Sequence, residues 1–306
     1  MNIQEKLTAL SGQLNTVIVG KFDQTQDCVA CLLAGGHLLI EDVPGVGKTT
    51  LAHALARTFG LQFSRVQFTA DLMPSDLSGV SVYERGQEKF IFHPGPLFAQ
   101  VLLADEINRA SPKTQSALLE AMEEKQVTIE GETRALPSPF FVIATQNPHD
   151  QLGTYLLPES QLDRFLMRIS LGYPDRDAER QLLAGSDRRD LVANLPSLLT
   201  AQELQTLQRQ VLAMHASDAL LDYVQDLMAA TRSGQWFVQG LSPRAGMAVL
   251  RAAKARALLA GRNFVAPDDV RRILPQTIAH RLVPVGDAGR GALAQVSAML
   301  DAVPLP

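Results

Sequence analysis

Gly45, Gly47, Lys48 and Thr49 stand together in a short turn that opens with Pro44. That set of residue types suits one task, the holding of a polyphosphate. Glycines let backbone N–H groups approach an anion without a Cβ in the way. The lysine can reach β- and γ-phosphates, and the threonine hydroxyl can ligate Mg²⁺. Val46 and Thr50 complete the loop. One position departs from the P-loop pattern, because Asp42 stands where its first glycine belongs. The departure is expected to matter little, since the main phosphate cradle lies later in the loop. A chance Gly47-Lys48-Thr49 in an ordinary turn is the competing reading, and the flanking strand and helix signals disfavour it.

Phosphoryl transfer also needs a metal holder and a group that polarises water. Asp105 and Glu106 follow the apolar run Val101-Leu-Leu-Ala104, as a buried strand opening onto a polar site would. Asp105 is expected to hold Mg²⁺ and Glu106 to act on the attacking water. Asn147 ends a later apolar strand and could orient the same water, although an Asn-Pro after a strand is ordinarily a turn. Arg164 and Arg244 are candidates to stabilise the γ-phosphate in the transition state, against the plain reading of solvated arginines. Arg244 is expected to reach a nucleotide in a cleft between two domains, and Arg164 to face a neighbouring subunit. Gln67 could couple nucleotide to partner, and Arg109 could cross a subunit interface.

These residues need a scaffold. Residues 37–40 read as a buried strand and 51–59 as the helix after the loop. Further strands are expected at 61–68, 101–106, 139–145 and 166–171, with helices at 4–14, 22–34, 111–124 and 158–165. Strands alternating with helices imply a largely parallel sheet covered on both faces. Two hairpins are expected, near 80–92 around Glu84-Arg-Gly-Gln87 and near 127–135 with Gly131 at the turn. After residue 173 strand signals stop. Helical periodicity covers 175–185, 201–213, 218–232, 243–260 and 267–281. The expected division is therefore an α/β nucleotide-binding core with its N-terminal helices over 1–173, and an all-α lid over 174–306. Ala266 precedes Pro267 where a capping Ser or Thr is usual, which weakens that helix start by roughly 1 kcal/mol.

The chain has 306 residues, 46% of them hydrophobic, and a formal net charge of −4. That describes a globular protein with material for one large or two medium domains. The acidic balance argues against bulk nucleic-acid affinity. No apolar stretch approaches a membrane span and no signal-peptide pattern opens the chain, so a cytoplasmic protein is expected. Cys28 and Cys31 sit on the apolar side of a helix and read as buried free thiols.

Taken together, Pro44-Gly-Val-Gly-Lys-Thr49, Gln67-Phe-Thr-Ala-Asp-Leu-Met-Pro-Ser-Asp-Leu77, Leu103-Ala-Asp-Glu-Ile-Asn-Arg-Ala110 and the helix 113–124 form an ordered series. Ala144-Thr-Gln-Asn-Pro148, Gly153-Thr-Tyr155, Pro158-Glu-Ser-Gln-Leu-Asp-Arg-Phe165 and Ser242-Pro-Arg-Ala245 continue it. The series resembles the AAA+ ATPases and, within them, the MoxR family of the helix-2-insert clade, over nearly the whole chain. The resemblance implies a P-loop AAA+ core with two β-hairpin insertions and a helical lid. Lys48 and Thr49 would belong to Walker A, Asp105 and Glu106 to Walker B, Asn147 to sensor 1, Arg164 to the arginine finger and Arg244 to sensor 2. Val19 and Gly20 fall where such proteins pack against adenine. The hairpins would project into the pore of a ring. ATP and Mg²⁺ are the implied cofactors. A hexamer, a client protein complex and a von Willebrand A-domain protein are the implied partners, with a chaperone-like role. A nucleic-acid motor of helicase type is the alternative, and a small-molecule P-loop kinase a more distant one.

Overall fold

The computed structural model describes residues 3–86, 88–148, 153–185, 188–286 and 291–306. Gln87, at the expected tip of the first hairpin, lies outside the described residues. The chain opens with α1 (Ile3–Val17), α2 (Phe22–Leu33), β1 (Leu38–Glu41), α3 (Lys48–Thr58) and β2 (Phe63–Gln67). Next come α4 (Pro74–Ser78), β3 (Gly79–Glu84), β4 (Lys89–Pro94), β5 (Val101–Asp105), α5 (Pro112–Glu124), β6 (Gln126–Ile129) and β7 (Glu132–Ala135). The strand β8 (Phe141–Gln146), the short α6 (Glu159–Leu162) and β9 (Met167–Ile169) follow. Beyond them lie α7 (Arg176–Ala184), α8 (Arg188–Ala193), α9 (Ala201–Ala213), α10 (Asp218–Arg232), α11 (Pro243–Leu259), α12 (Pro267–Ile278) and α13 (Ala292–Ala302).

Five strands form one sheet in the order β2-β5-β8-β1-β9, and every pairing in it is parallel. The central strands are apolar throughout because both of their faces are covered. Alternation along each strand divides the residues between two clusters. Leu38, Ile40, Leu103 and Ile143 pack on one face, and Leu39, Leu102, Ala104, Val142 and Ala144 on the other. The second cluster is closed by Leu118, Leu119 and Met122 of α5. The first runs without a break through α1, α2 and α3 into the helices after β9, taking in Ala248 and Ala252 of α11 and Val270 and Ile273 of α12. Hydrophobic packing thus crosses the expected boundary at 173/174. Cys28 and Cys31 are buried in this cluster as free thiols, and burial pushes both above the ordinary thiol range.

Both hairpins form, β3 with β4 and β6 with β7, each antiparallel. The guanidinium of Arg134 lies 4.2 Å from the ring centroid of Phe92 and ties the two together. The elements differ from expectation in five places. The helix expected over 158–165 shrinks to a single turn, Glu159–Leu162. The stretch before the first hairpin, for which no helix is expected, contains α4, started by Pro74 and by Asp76, which accepts from the Met73 N–H at 2.8 Å. Helices α8 and α13 were not foreseen, and the 267–281 helix ends as a 3-10 turn over Ala279–Arg281. The start of α12 does lack a side-chain cap at Ala266, but Asp269 accepts from the Ala266 N–H at 2.8 Å. Arg262 grips the same carboxylate from the other side. Half of a capping box therefore survives without its Ser or Thr. Among the described residues no helix is long and apolar enough to cross a membrane.

Candidate active site

The loop leaves β1 at its C-terminal end. Gly45 and Gly47 take φ of +86° and +95°, values that residues with a Cβ avoid. A Cβ built on either meets nothing within 4 Å, so the concave side of the loop is open. Gly47 starts α3 and brings no side chain to cap it. The first N–H groups of α3 therefore face that opening with the positive end of the helix behind them. Lys48 Nζ donates to the Asp42 carbonyl at 2.7 Å. Burial lowers the pKa of Lys48, while Asp105, Asp42 and Glu106 oppose the shift. The ammonium thus stays within reach of both strand-end carboxylates and rests on a carbonyl that a phosphate oxygen can replace.

Asp42 is far from idle, contrary to expectation. It is buried, and its Oδ2 accepts from the N–H groups of Leu171 and Gly172 at 2.5 and 2.8 Å and from the Ser170 hydroxyl at 3.2 Å. Its Oδ1 accepts from the Val43 N–H at 3.0 Å. A glycine here could do none of this. The carboxylate latches the mouth of the phosphate loop to the chain leaving β9. Nearby, Lys21 donates to the Tyr173 carbonyl at 2.7 Å, and a Cβ on Gly20 would come within 2.8 Å of Ala178 Cβ. Val19 and Gly20 are thereby seated on the first turn of α7, on the Asp42 side of the sheet.

Asp105 ends β5 and is 8% exposed. Its Oδ1 accepts from the Thr145 hydroxyl at 2.6 Å, and its Oδ2 from Arg65 Nη2 and Nε at 2.7 and 3.2 Å. Glu106 turns the chain with φ 56° and ψ 50°, a left-handed conformation that stores strain of the kind found at functional sites. Its N–H donates to Thr145 Oγ1 at 2.9 Å. Its Oε2 receives Gln67 Nε2 at 2.9 Å and Arg109 Nε at 2.8 Å. Asn147 is half-buried one residue beyond β8. On the neighbouring strand end, Glu41 accepts from Gln146 at 3.0 Å and from Arg168 at 2.8 Å, which pins β8, β1 and β9 together. Thr145 and Arg65 escaped sequence reading. A threonine inside an apolar strand and an arginine inside a strand beside Asp105 were the available signals. Among the described residues no three His, Cys, Asp or Glu gather as a metal cluster.

The two arginines lie elsewhere. Arg164 Nη2 sits 3.2 Å from Glu123 Oε2, and Arg244 Nη1 sits 2.9 Å from Glu123 Oε1. Arg164 also donates to the Leu119 carbonyl at 2.5 Å. Chain direction fixes where this is. Glu123 closes α5, which has run back from the C-terminal edge of the sheet. Arg164 lies shortly before β9, separated from it by Phe165 and Leu166, and the cavity holding all three side chains is also lined by residues 35–37, which lead into β1. Its volume is about 490 Å³. The phosphate loop is at the opposite end of β1, roughly 13 Å of strand away plus its turns. The expected cleft with Arg244 over its own chain's nucleotide is therefore not formed. Helix α11 packs its alanine face against α2, with Arg256 on Asp27 at 3.1 Å, and this carries Arg244 to the wrong edge. Lys48, Thr49, Thr50, Asp105, Glu106 and Asn147 are gathered at one edge; Arg164 and Arg244 are gathered at the other.

Comparison with known proteins identifies the family and the fold. Residues 37–167 match the profile of the ATPase family associated with various cellular activities (AAA), and residues 229–299 match an AAA lid domain. The chain is 45% identical to the uncharacterized protein YeaC of Bacillus subtilis over 313 aligned positions, covering 100% of this chain and 98% of that one. It is 42% identical to Chaperone MoxR1 of Mycobacterium tuberculosis, over 90% of this chain and 75% of that protein. A crystal structure of a candidate ATPase from Cytophaga hutchinsonii superposes with a TM-score of 0.91 at 34% identity, covering 99% of this chain and 96% of that one.

Proposed function

This chain belongs to the MoxR family of AAA+ ATPases, and on that premise we propose that it is a ring-forming, Mg²⁺-dependent ATPase that remodels or matures client proteins. One observation carries the reading. The loop and carboxylates that suit ATP lie at one edge of the sheet, and the arginine pair suited to a γ-phosphate lies at the other. Neither edge is a complete site, and a second copy set edge to edge supplies what the first lacks. Repeated head-to-tail, that contact closes into a ring, and the family resemblance supports six subunits.

In this reading the amides of the loop and of α3 hold the β- and γ-phosphates, and Lys48 leaves the Asp42 carbonyl to join them. Thr49 and Asp105 would supply hard oxygen ligands for Mg²⁺, consistent with a buried carboxylate that already holds a cationic side chain. Bound there, the metal would neutralise charge building on the phosphate oxygens. Glu106 takes the proton of the attacking water once it has let go of Gln67 and Arg109. Asn147 orients that water. Arg164 and Arg244 of the adjoining copy stabilise the transferred phosphoryl group.

The output falls to the hairpins. Val80, Val82, Tyr83 and Phe90 stand exposed on β3 and β4, an apolar surface that suits unfolded or partly folded chain. The resemblance supports pore insertions here, a von Willebrand A-domain partner and work in the cytoplasm. Mixing two inactive proteins tests the assembly. Lys48→Ala and Arg164→Ala should each be dead alone. A 1:1 mixture should recover activity, because about a quarter of randomly formed interfaces pair an intact loop with an intact arginine. Normal hydrolysis by Arg164→Ala alone would overturn the reading.

A further inference from the structure

We propose that Arg65 is a positioning residue that stands in for the divalent cation on Asp105 and sets how tightly that cation binds. The argument begins with register. On β2, Arg65 lies opposite Leu103, and Gln67 lies opposite Asp105 itself. Residues two apart on a strand share a face. Arg65 and Gln67 therefore reach the same side of β5, one taking Asp105 Oδ2 and the other Glu106 Oε2. A single edge strand holds both carboxylates of the pair.

Asp105 needs a counter-charge. It is buried, Thr145 satisfies only Oδ1, and an unpaired carboxylate there would be costly. Arg65 meets that need with two N–H groups on Oδ2. The same oxygen is the one left for a metal or its water shell. A dication and a guanidinium repel each other and cannot both bind it at full strength. The Arg65 side chain is 48% exposed, so it can swing into water when the metal arrives. Its departure removes one of the two side-chain ties between β2 and the Asp105–Glu106 pair, while Gln67 keeps the other and β2 stays paired with β5.

This inference rests on Asp105 being the metal holder. The test is a Mn²⁺ titration followed by electron paramagnetic resonance on protein saturated with ADP, using wild type, Arg65→Met, Arg65→Gln and Asp105→Asn. Removing the guanidinium should tighten Mn²⁺ about tenfold, the scale of a screened unit charge a few ångströms from a dication. Arg65→Gln keeps a donor without charge and should tighten it too. In steady state the Mg²⁺ concentration for half-maximal ATPase should fall, while KM for ATP at saturating Mg²⁺ stays put. Arg65→Lys should return Mn²⁺ binding towards wild type. Unchanged or weaker Mn²⁺ binding in both neutral variants overturns the proposal for Arg65 alone, provided Asp105→Asn weakens it. If Asp105→Asn leaves Mn²⁺ binding unaltered, the metal-holder reading fails and the proposal with it.

Discussion

Replacing Asp42 by glycine restores the residue that the P-loop pattern expects, and it should damage the protein. The carboxylate accepts two backbone N–H groups beyond the loop, from Leu171 and Gly172, and a hydroxyl from Ser170. Removing it strands those donors where water has little access at Leu171 and partial access at Gly172. A stranded buried N–H costs about 1–3 kcal/mol, and bonds to a charged acceptor sit at the upper end. Allowing for relaxation, the loss is about 3 kcal/mol, and glycine adds up to about 1 kcal/mol of backbone entropy. For a chain of this length that is a fall in Tm of roughly 5–10 °C. Differential scanning calorimetry gives the global value. Amide hydrogen exchange gives the local one, with the Leu171 and Gly172 protons losing protection before the rest of the sheet. An unchanged Tm together with unchanged exchange at both amides refutes the latch.

Other substitutions separate the remaining parts of the site. Lys48→Ala should abolish binding of a fluorescent ATP analogue, whereas Glu106→Gln should bind it normally and hydrolyse ATP at least about a hundredfold more slowly; full activity in the latter removes Glu106 from the chemistry. Glu123→Gln removes the shared negative charge and one of the two oxygens that hold Arg164 and Arg244, so kcat should drop several-fold with little change in KM for ATP, as pre-steady-state binding and turnover can show. For pH, His37 accepts from the Val142 N–H through Nδ1 at 3.0 Å and is buried, and burial lowers its pKa from 6.5 to about 4. Burial likewise lowers His280 to about 3. The unfolded chain takes up these protons first as pH falls below 6.5, so stability should drop across the window from about 6.5 to 4. Asp27 opposes this, because burial raises it to about 6 and its neutral form favours the fold between about 6 and 4. Urea midpoints at pH 7 and 5 should therefore diverge more in Asp27→Asn than in wild type.

The legible part of this protein was local. Glycine spacing and the Asp105–Glu106 pair after four apolar residues are short-range signals, and each element they announce is present. The sheet was legible because both faces are buried and its strands read as unbroken apolar runs. What sequence could not carry was pairing across distance. Asp42 is separated from Leu171 by 129 positions, and Arg65 from Asp105 by 40. Nothing near either residue announces its partner. Arg244 failed for the same reason: its motif names a phosphate-seeking arginine, but the packing of α11 on α2 decides which edge of the sheet it serves. Helix α8 is short, and α13 has a mean composition too apolar to show a clear face, so periodicity marked neither.

The unbroken apolar cluster running from the sheet into α11 and α12 has a mechanical meaning. A hinge needs a seam where few contacts must be broken, and among the described residues the apolar cluster runs across the join between the strands and the last helices. Bending there would open apolar surface to water at about 25 cal/mol for each square ångström exposed. The stiff unit is the subunit as a whole. In the assembly proposed above, strain raised at the nucleotide would be released at the junction between one copy and the next, and the ring would flex at its joints.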